Sequence, residues 1–289
     1  MITSIVALGL LGVIFGSFVN ALVWRLHEQA EQRKKKPKKQ AAAHTPALTA
    51  RDLSITKGRS MCPNCHHTLA AKDLVPVFSW FWLRGKCRYC HKPISWQYPL
   101  VEVITGVLFA LSYVSWPHGF SGVGVYQFVF WLFYLIVFMV LAVYDLRWFL
   151  LPDKVVFPLI GVALVETVSV AVWQHSWASL WQPLAGGVII FGLFYLLFQV
   201  SKGAWIGGGD VKLAFALGLM AGSPVAAFLV LFFASLLGVF GSIPLLLHGK
   251  DNLKAHIPFG PYLLSATVLV VLYGARITEW YTGFFLPGV

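Results

Sequence analysis

Two aspartates stand where acid–base chemistry is possible. Asp210 follows three glycines in Gly207-Gly208-Gly209-Asp210-Val211-Lys212-Leu213. Asp145 closes a long apolar run and precedes Leu146-Arg147-Trp148-Phe149-Leu150-Leu151-Pro152-Asp153. An ionisable side chain in or beside hydrocarbon is costly, so each is a functional candidate by default. Two carboxylates that share one proton can divide labour. The ionised one takes a proton from water while the protonated one polarises the carbonyl under attack, and such a pair titrates as a unit. The glycines before Asp210 permit positive φ and close backbone approach, leaving room for an extended substrate beside the acid. Taken singly, each aspartate also reads as a helix end touching water; the two motifs together weigh against that.

The four cysteines form a second chemical constellation, Cys62-Pro63-Asn64-Cys65 and Cys87-Arg88-Tyr89-Cys90. Two Cys-x2-Cys pairs separated by 21 residues match a zinc ribbon or knuckle, one residue beyond the usual spacing. Each pair can turn two thiolates toward one tetrahedral ion, and four thiolates fill its coordination sphere. The zinc is then structural, with no open position for catalysis. Two disulfides are the competing reading, disfavoured in a reducing cytosol. His66, His67 and His91 are substitute ligands, expected at the surface.

The background to these residues is a membrane protein. Of 289 residues 58% are apolar and 11% charged, with mean hydropathy +0.74, against about 25% charged in soluble proteins. The net charge of +11 raises nucleic acid as a partner, but 15 of the 22 Lys and Arg lie between Arg25 and Lys92. That concentration is the positive-inside signature of one cytoplasmic segment. The run from Arg33 to Lys39 is a solvated stretch near anionic membrane lipid, and nucleic acid is excluded as a partner. The first 24 residues lack a basic start and a small-residue cleavage site, so they are a retained helix and not a signal peptide.

The expected fold is an all-α polytopic membrane protein of about eight transmembrane helices, with a cytoplasmic zinc-knuckle segment inserted after helix 1. The domains run 1–24 (first helix), 25–97 (cytoplasmic segment, knuckle at 60–93) and 98–289 (membrane domain with the aspartate pair). Helices are expected over 2–24, 99–116, 124–144, 155–173, 183–200, 211–221, 225–247 and 258–280. The sixth is short, about 18 Å against a ~30 Å hydrocarbon core, so it either lines a wet cavity or sits in thinned membrane. With this threading 21 of the 22 basic residues fall in or beside inner loops, Arg276 alone excepted. Both aspartates then sit at the cytoplasmic boundary. Asn20 fits helix packing with Gly16 and Ser17 or substrate contact. Glu102 meets the N-terminal dipole of its helix, Glu166 is a polar interhelical contact, and Lys212 marks the inner interface. The aromatic stretch Val75 to Leu83 is a small core under the metal or a face resting on the bilayer.

These motifs resemble those of the bacterial type IV prepilin peptidases, the bifunctional leader peptidase/N-methyltransferases of the GxGD-type intramembrane aspartic peptidases. The resemblance runs through Gly16-Ser17-Phe18-Val19-Asn20 with Arg25, the cysteine pairs and Leu83-Arg84-Gly85-Lys86-Cys87. It continues in Tyr98-Pro99-Leu100-Val101-Glu102, the Asp145 to Asp153 stretch and Gly207 to Leu213. It implies that Asp145 and Asp210 are the catalytic pair, with Asp153 a motif member only. It implies a multi-pass protein of the bacterial inner membrane that cuts prepilins or pseudopilins after a glycine at the cytoplasmic face. The new N-terminal residue is then methylated from S-adenosyl-L-methionine, in the service of type IV pili or type II secretion. From His27 to Gln40 the chain departs from the family's acidic-aromatic pattern, and no glycine-rich methyltransferase motif is visible. Methylation therefore rests on resemblance. A proton-coupled transporter is the alternative from another class, and a scaffold binding pilin-like helices is a third. Oligomeric state is left open by the sequence.

Overall fold

The structure is a computed structural model that describes residues 1–34, 48–49, 51–55, 57–247 and 257–285. Lys35 to Lys39 of the basic run, and Lys250 and Lys254 between α8 and α9, lie outside the described residues. The helices are α1 (Ile2–Lys34), α2 (Phe78–Trp82), α3 (Gln97–Ser115), α4 (Val123–Trp148) and α5 (Asp153–Gln174). They continue with α6 (Ala178–Ser201), α7 (Gly208–Ala221), α8 (Pro224–Leu247) and α9 (Gly260–Phe285). Among the described residues there is no strand, only the isolated bridges Met61–Thr68 and Lys86–Pro93. Seven helices are long and apolar enough to cross a membrane, and α7 is the short eighth. The chain is all-helical and polytopic, as its composition requires.

Most helix boundaries differ from the sequence reading by a few residues, and the end of α1 and the start of α6 are among those that differ by five or more. Helix α1 continues ten residues past Trp24, because Arg25 to Lys34 is rich in good helix formers although it is polar. The apolar run ends where the membrane ends, not where the helix ends. Helix α6 starts at Ala178, with Pro183 inside it; a proline so near a helix start removes a single backbone hydrogen bond, to the carbonyl four residues back.

The chain divides into two compact units, Met1–Val114 and Ser115–Val289. In the first, α1 and α3 approach through glycines. A Cβ on Gly16 would lie 2.6 Å from Glu102 Cα, and one on Gly12 would lie 2.9 Å from Gly106 Cα. Asn20 is buried and donates from Nδ2 to the Tyr98 carbonyl at 3.0 Å, which makes it a packing residue. Arg25, also buried, donates to the carbonyls of Ser54, Ile55 and Gly58 and so ties down the segment after the basic run. Glu102 departs from the dipole reading. It lies beyond the first turn of α3 and accepts the Val77 N–H at 2.6 Å.

In the second unit α7 is enclosed. Val211, Leu213, Ala214, Ala216, Leu217, Gly218 and Leu219 are all buried, and α5, α6, α8 and α9 pack around it. Fourteen residues make about 21 Å of helix, too short to face lipid along a full core. Surrounded by protein, it never has to. Closest is α6, where a Cβ on Gly218 would lie 2.6 Å from Gly187 Cα and 2.7 Å from the Gly186 oxygen. Backbone on backbone leaves no side chain to yield. Gly218→Ala therefore lowers unfolding stability by about 1–3 kcal/mol in a detergent melt. Gly192→Ala, with nothing within 4 Å, is neutral or slightly stabilising. Equal behaviour of the two variants would contradict this packing.

Candidate active site and metal centre

Asp145 lies in the last turn of α4 and is 5% exposed. A carboxylate at a helix C-terminus faces the wrong end of the dipole, so it needs donors from elsewhere. Gly260, the first residue of α9, supplies its backbone N–H, so the acid of α4 caps α9. The approach is close: a Cβ on Gly260 would lie 2.6 Å from Asp145 Oδ2. After the acid, Phe149 takes φ 54° and donates its N–H to the Asp145 carbonyl at 2.8 Å. This left-handed cap ends α4 sharply and sends Leu150 to Pro152 across to α5.

Asp210 is the third residue of α7, whose N-cap is Gly207. Its carboxyl accepts the Gly207 N–H, the half of a capping box in which the third side chain reaches back to the cap. Oδ1 is buried and has no hydrogen-bond partner among the described residues. The Asp210 carboxyl lies within electrostatic reach of Asp145. Leu151 joins the two acids' surroundings: a Cβ on Gly209 would lie 2.9 Å from Leu151 Cβ, and one on Gly260 3.6 Å from Leu151 Cδ2. The start of α7, the start of α9 and the link after α4 thus converge on one leucine. Each carboxylate meets the N–H groups of a helix N-terminus, where negative charge is favoured.

The glycine reading needs correction on one point. Gly207 has φ −70°, and the positive-φ glycines are Gly85, Gly119, Gly122, Gly203 and Gly222. Within the triplet before Asp210, Gly209 serves close approach to Leu151 and none of the three takes a left-handed backbone. Lys212 and Asp153, for which the sequence offered no joint role, pair with each other at 2.7 Å, and Lys212 Nζ lies 5.1 Å from the Phe157 ring centroid. They tie the start of α5 to the start of α7 two residues past Asp210. Glu166 accepts the Tyr134 hydroxyl proton, an interhelical contact as expected. Gly260 was missed. Its only sequence signal is the turn-like Pro258-Phe259-Gly260-Pro261 at the start of the last helix.

The cysteines also converge. The Sγ atoms of Cys62, Cys65, Cys87 and Cys90 all lie within 4.8 Å of one another, Cys62 to Cys90 at 3.9 Å. Zinc–sulfur bonds of ~2.3 Å at tetrahedral angles put the sulfurs about 3.8 Å apart, so the donor set fits zinc. The two knuckles repeat one design. Cys62 N–H donates to the His67 carbonyl at 3.0 Å and Cys87 N–H to that of Lys92 at 2.9 Å. His66 and His91 take φ 56° and 57° at the same step. All four cysteines are free of disulfides. Burial pushes the Cys62 thiol up to about 12, so its thiolate requires a cation beside it.

Two family models match the chain. That of the bacterial peptidase A24 N-terminal domain covers residues 10–116, which hold the cysteines. That of the type IV leader peptidase family covers 132–243, which hold Asp145 and Asp210. Among the relatives, a prepilin leader peptidase/N-methyltransferase of Aeromonas hydrophila is 32% identical over 96% of this chain and 93% of its own length. Those of Stutzerimonas stutzeri (32%, over 95% and 92%) and Pectobacterium carotovorum subsp. carotovorum (35%, over 89% and 88%) match comparably. No solved structure matches.

The sulfur geometry carries its own test. Purified protein should hold a single zinc ion per chain by atomic emission, with four thiolate ligands. Cys62→Ser and Cys87→Ser should each strip it and lower the melting temperature. Full zinc in either variant, or none in the native chain, would contradict the site.

Proposed function

We propose the following for this chain, which belongs to the type IV leader peptidase family: it is a membrane-embedded aspartic endopeptidase and N-methyltransferase acting on prepilins or pseudopilins. It removes the leader after a glycine at the cytoplasmic face of the bacterial inner membrane and methylates the newly exposed amino terminus. The observation that carries the reading is that Asp210 lies within electrostatic reach of Asp145, each acid held by a glycine N–H, with Gly209 beside one acid and Gly260 beside the other both close on Leu151. The relatives' names carry both activities. A proton-coupled transporter has no comparable support, since the matched families are peptidases.

Of the two acids, one is ionised and one protonated at the start of the cycle. The ionised carboxylate takes a proton from water as its oxygen attacks the scissile carbonyl carbon. The protonated partner donates to the carbonyl oxygen, giving a neutral tetrahedral diol. The acid that now holds the proton gives it to the leaving nitrogen while the other, ionised carboxylate takes a proton from a diol hydroxyl. The C–N bond breaks to a carboxylic acid and an amine, and the pair again holds one proton. Gly207 and Gly260 orient the carboxylates through backbone N–H groups, which cannot swing away as side chains do. The buried, unpartnered Oδ1 of Asp210 is an acceptor suited to the attacking water. Lys212 and Asp153 position the helix start and do not touch the reacting atoms.

Zinc in the four-cysteine cluster holds the two knuckles together and leaves no site for substrate. For methylation the donor is S-adenosyl-L-methionine. The described residues contain no strand, so the glycine-rich strand–turn–helix that cradles this donor in soluble methyltransferases is not built from them.

The test is leader removal from a prepilin in detergent. Asp145→Asn and Asp210→Asn should each lose at least about 100-fold in cleavage rate while still binding substrate. Gly260→Ala should cost up to about 100-fold, by displacing Asp145, with KM little changed. Normal cleavage by either aspartate variant would overturn the paired-acid mechanism.

A further inference from the structure

The segment between the cysteine knuckles, with Trp96 just after the second, exposes aromatic side chains that a free cytoplasmic module would bury. Trp82 is 85% exposed, Phe78 75%, Trp96 65% and Phe81 57%. They form one surface: the Trp96 ring lies 4.1 Å from that of Trp80 and 6.2 Å from that of Phe81, centroid to centroid. Contiguous exposed apolar surface of this kind marks a site of contact.

Three observations identify what covers it. The first is depth. Val77, immediately before α2, donates its N–H to Glu102 at 2.6 Å, and Glu102 lies five residues past Gln97, the start of α3. At ~1.5 Å per residue that is about 8 Å along a helix that crosses the membrane. Helix α2 is therefore held level with the first turns of a spanning helix.

The second is continuity. Leu100, Val103, Val107, Leu111 and Val114 form an exposed stripe along α3 at helical spacing, the face such a helix turns to lipid. Leu100 N–H donates to the Trp96 carbonyl at 3.2 Å, so Trp96 extends that stripe by one turn. Through Trp96 the lipid-facing stripe runs without interruption into the aromatic surface of α2.

The third is charge. Lys72, Arg84, Lys86 and Lys92 are exposed in the same stretch of chain. Asp73 is the only acid between residues 53 and 101, and it is bonded to Arg88 at 2.7 Å. Tryptophan with lysine and arginine is the composition that settles at the membrane–water boundary, rings in the headgroup layer and cations toward anionic lipid.

From these we infer that α2 and Trp96 form an interfacial wedge seated in the headgroup layer of a bilayer containing anionic phospholipid. The knuckle module thus lies on the membrane and not free in the aqueous phase. The partner is the lipid surface itself. Occupation of the same surface by a second copy of the chain or by a prepilin is the outcome that would exclude it.

The test uses the full chain in nanodiscs of phosphatidylglycerol and phosphatidylethanolamine. A benzophenone-bearing phenylalanine replaces Trp82, Phe78 or, as reference, the exposed Asn64 of the first knuckle. After irradiation, positions 82 and 78 should carry phospholipid adducts several-fold above position 64. Replacing phosphatidylglycerol with phosphatidylcholine should lower that yield. No excess over position 64, or adducts only to protein, would overturn the proposal, and a yield indifferent to lipid charge would overturn its anionic part. Should these substitutions prevent folding, hydroxyl-radical labelling of the unmodified protein decides. Trp82 should then label less than Tyr89 after correction for intrinsic reactivity, although Tyr89 is only 38% exposed within the protein. Trp82 labelling more than Tyr89 would overturn the proposal.

Discussion

Two carboxylates beside each other at the edge of hydrocarbon repel one another and lose water, and the arrangement of the second unit answers that constraint. Among the described residues no basic side chain is paired with either acid. The nearest lysine in sequence, Lys212, is engaged with Asp153. The charge is met instead by backbone N–H groups at helix N-termini: Gly207 before α7 and Gly260 at the start of α9. Fixed dipoles of this kind stabilise charge without neutralising a proton that the reaction needs. A lysine salt bridge to either acid would hold it ionised through the cycle.

Much else follows from bringing those helix ends together. Helix α7 must begin beside the end of α4, so it cannot also span the membrane, and its short length is tolerated because other helices enclose it. Glycines appear wherever backbone must approach backbone or carboxylate: Gly260 against Asp145, Gly209 against Leu151, Gly218 against Gly187. The left-handed cap at Phe149 delivers Leu151 into the gap between α7 and α9. Local rules and tertiary packing agree here, with a capping-box carboxylate at Asp210 serving as a proposed catalytic acid.

The chemistry-bearing residues were legible in the sequence because they stand out against an apolar background. An aspartate at each of two helix ends and two Cys-x2-Cys pairs are rare types in informative spacing. Gly260 was not legible. Its role exists only through a partner on another helix, and a glycine in a turn gives no hint of which carboxylate it faces. The same limit explains the misreadings. On sequence grounds the glycines before Asp210 permit both positive φ and close approach, and only close approach, at Gly209, is used. Glu102 signalled a helix dipole, but it accepts Val77 N–H from a segment 25 residues away. The end of α1 was hidden because hydropathy reports the membrane boundary, whereas helix propensity carries the helix ten residues further.

If the two acids act as a unit with one shared proton, activity has a specific dependence on acidity. Below the working range both are protonated and no base remains to activate water. Above it both are ionised and no acid remains to polarise the carbonyl. The most direct measurement is the single-turnover rate of leader cleavage across pH, at saturating substrate and fixed ionic strength. A bell-shaped profile, with both limbs set by the enzyme and unchanged when the substrate's own ionisable side chains are removed, is the result the dyad requires. A rate that rises to a plateau and stays there would mean a single base without an acid partner, and would contradict the paired mechanism.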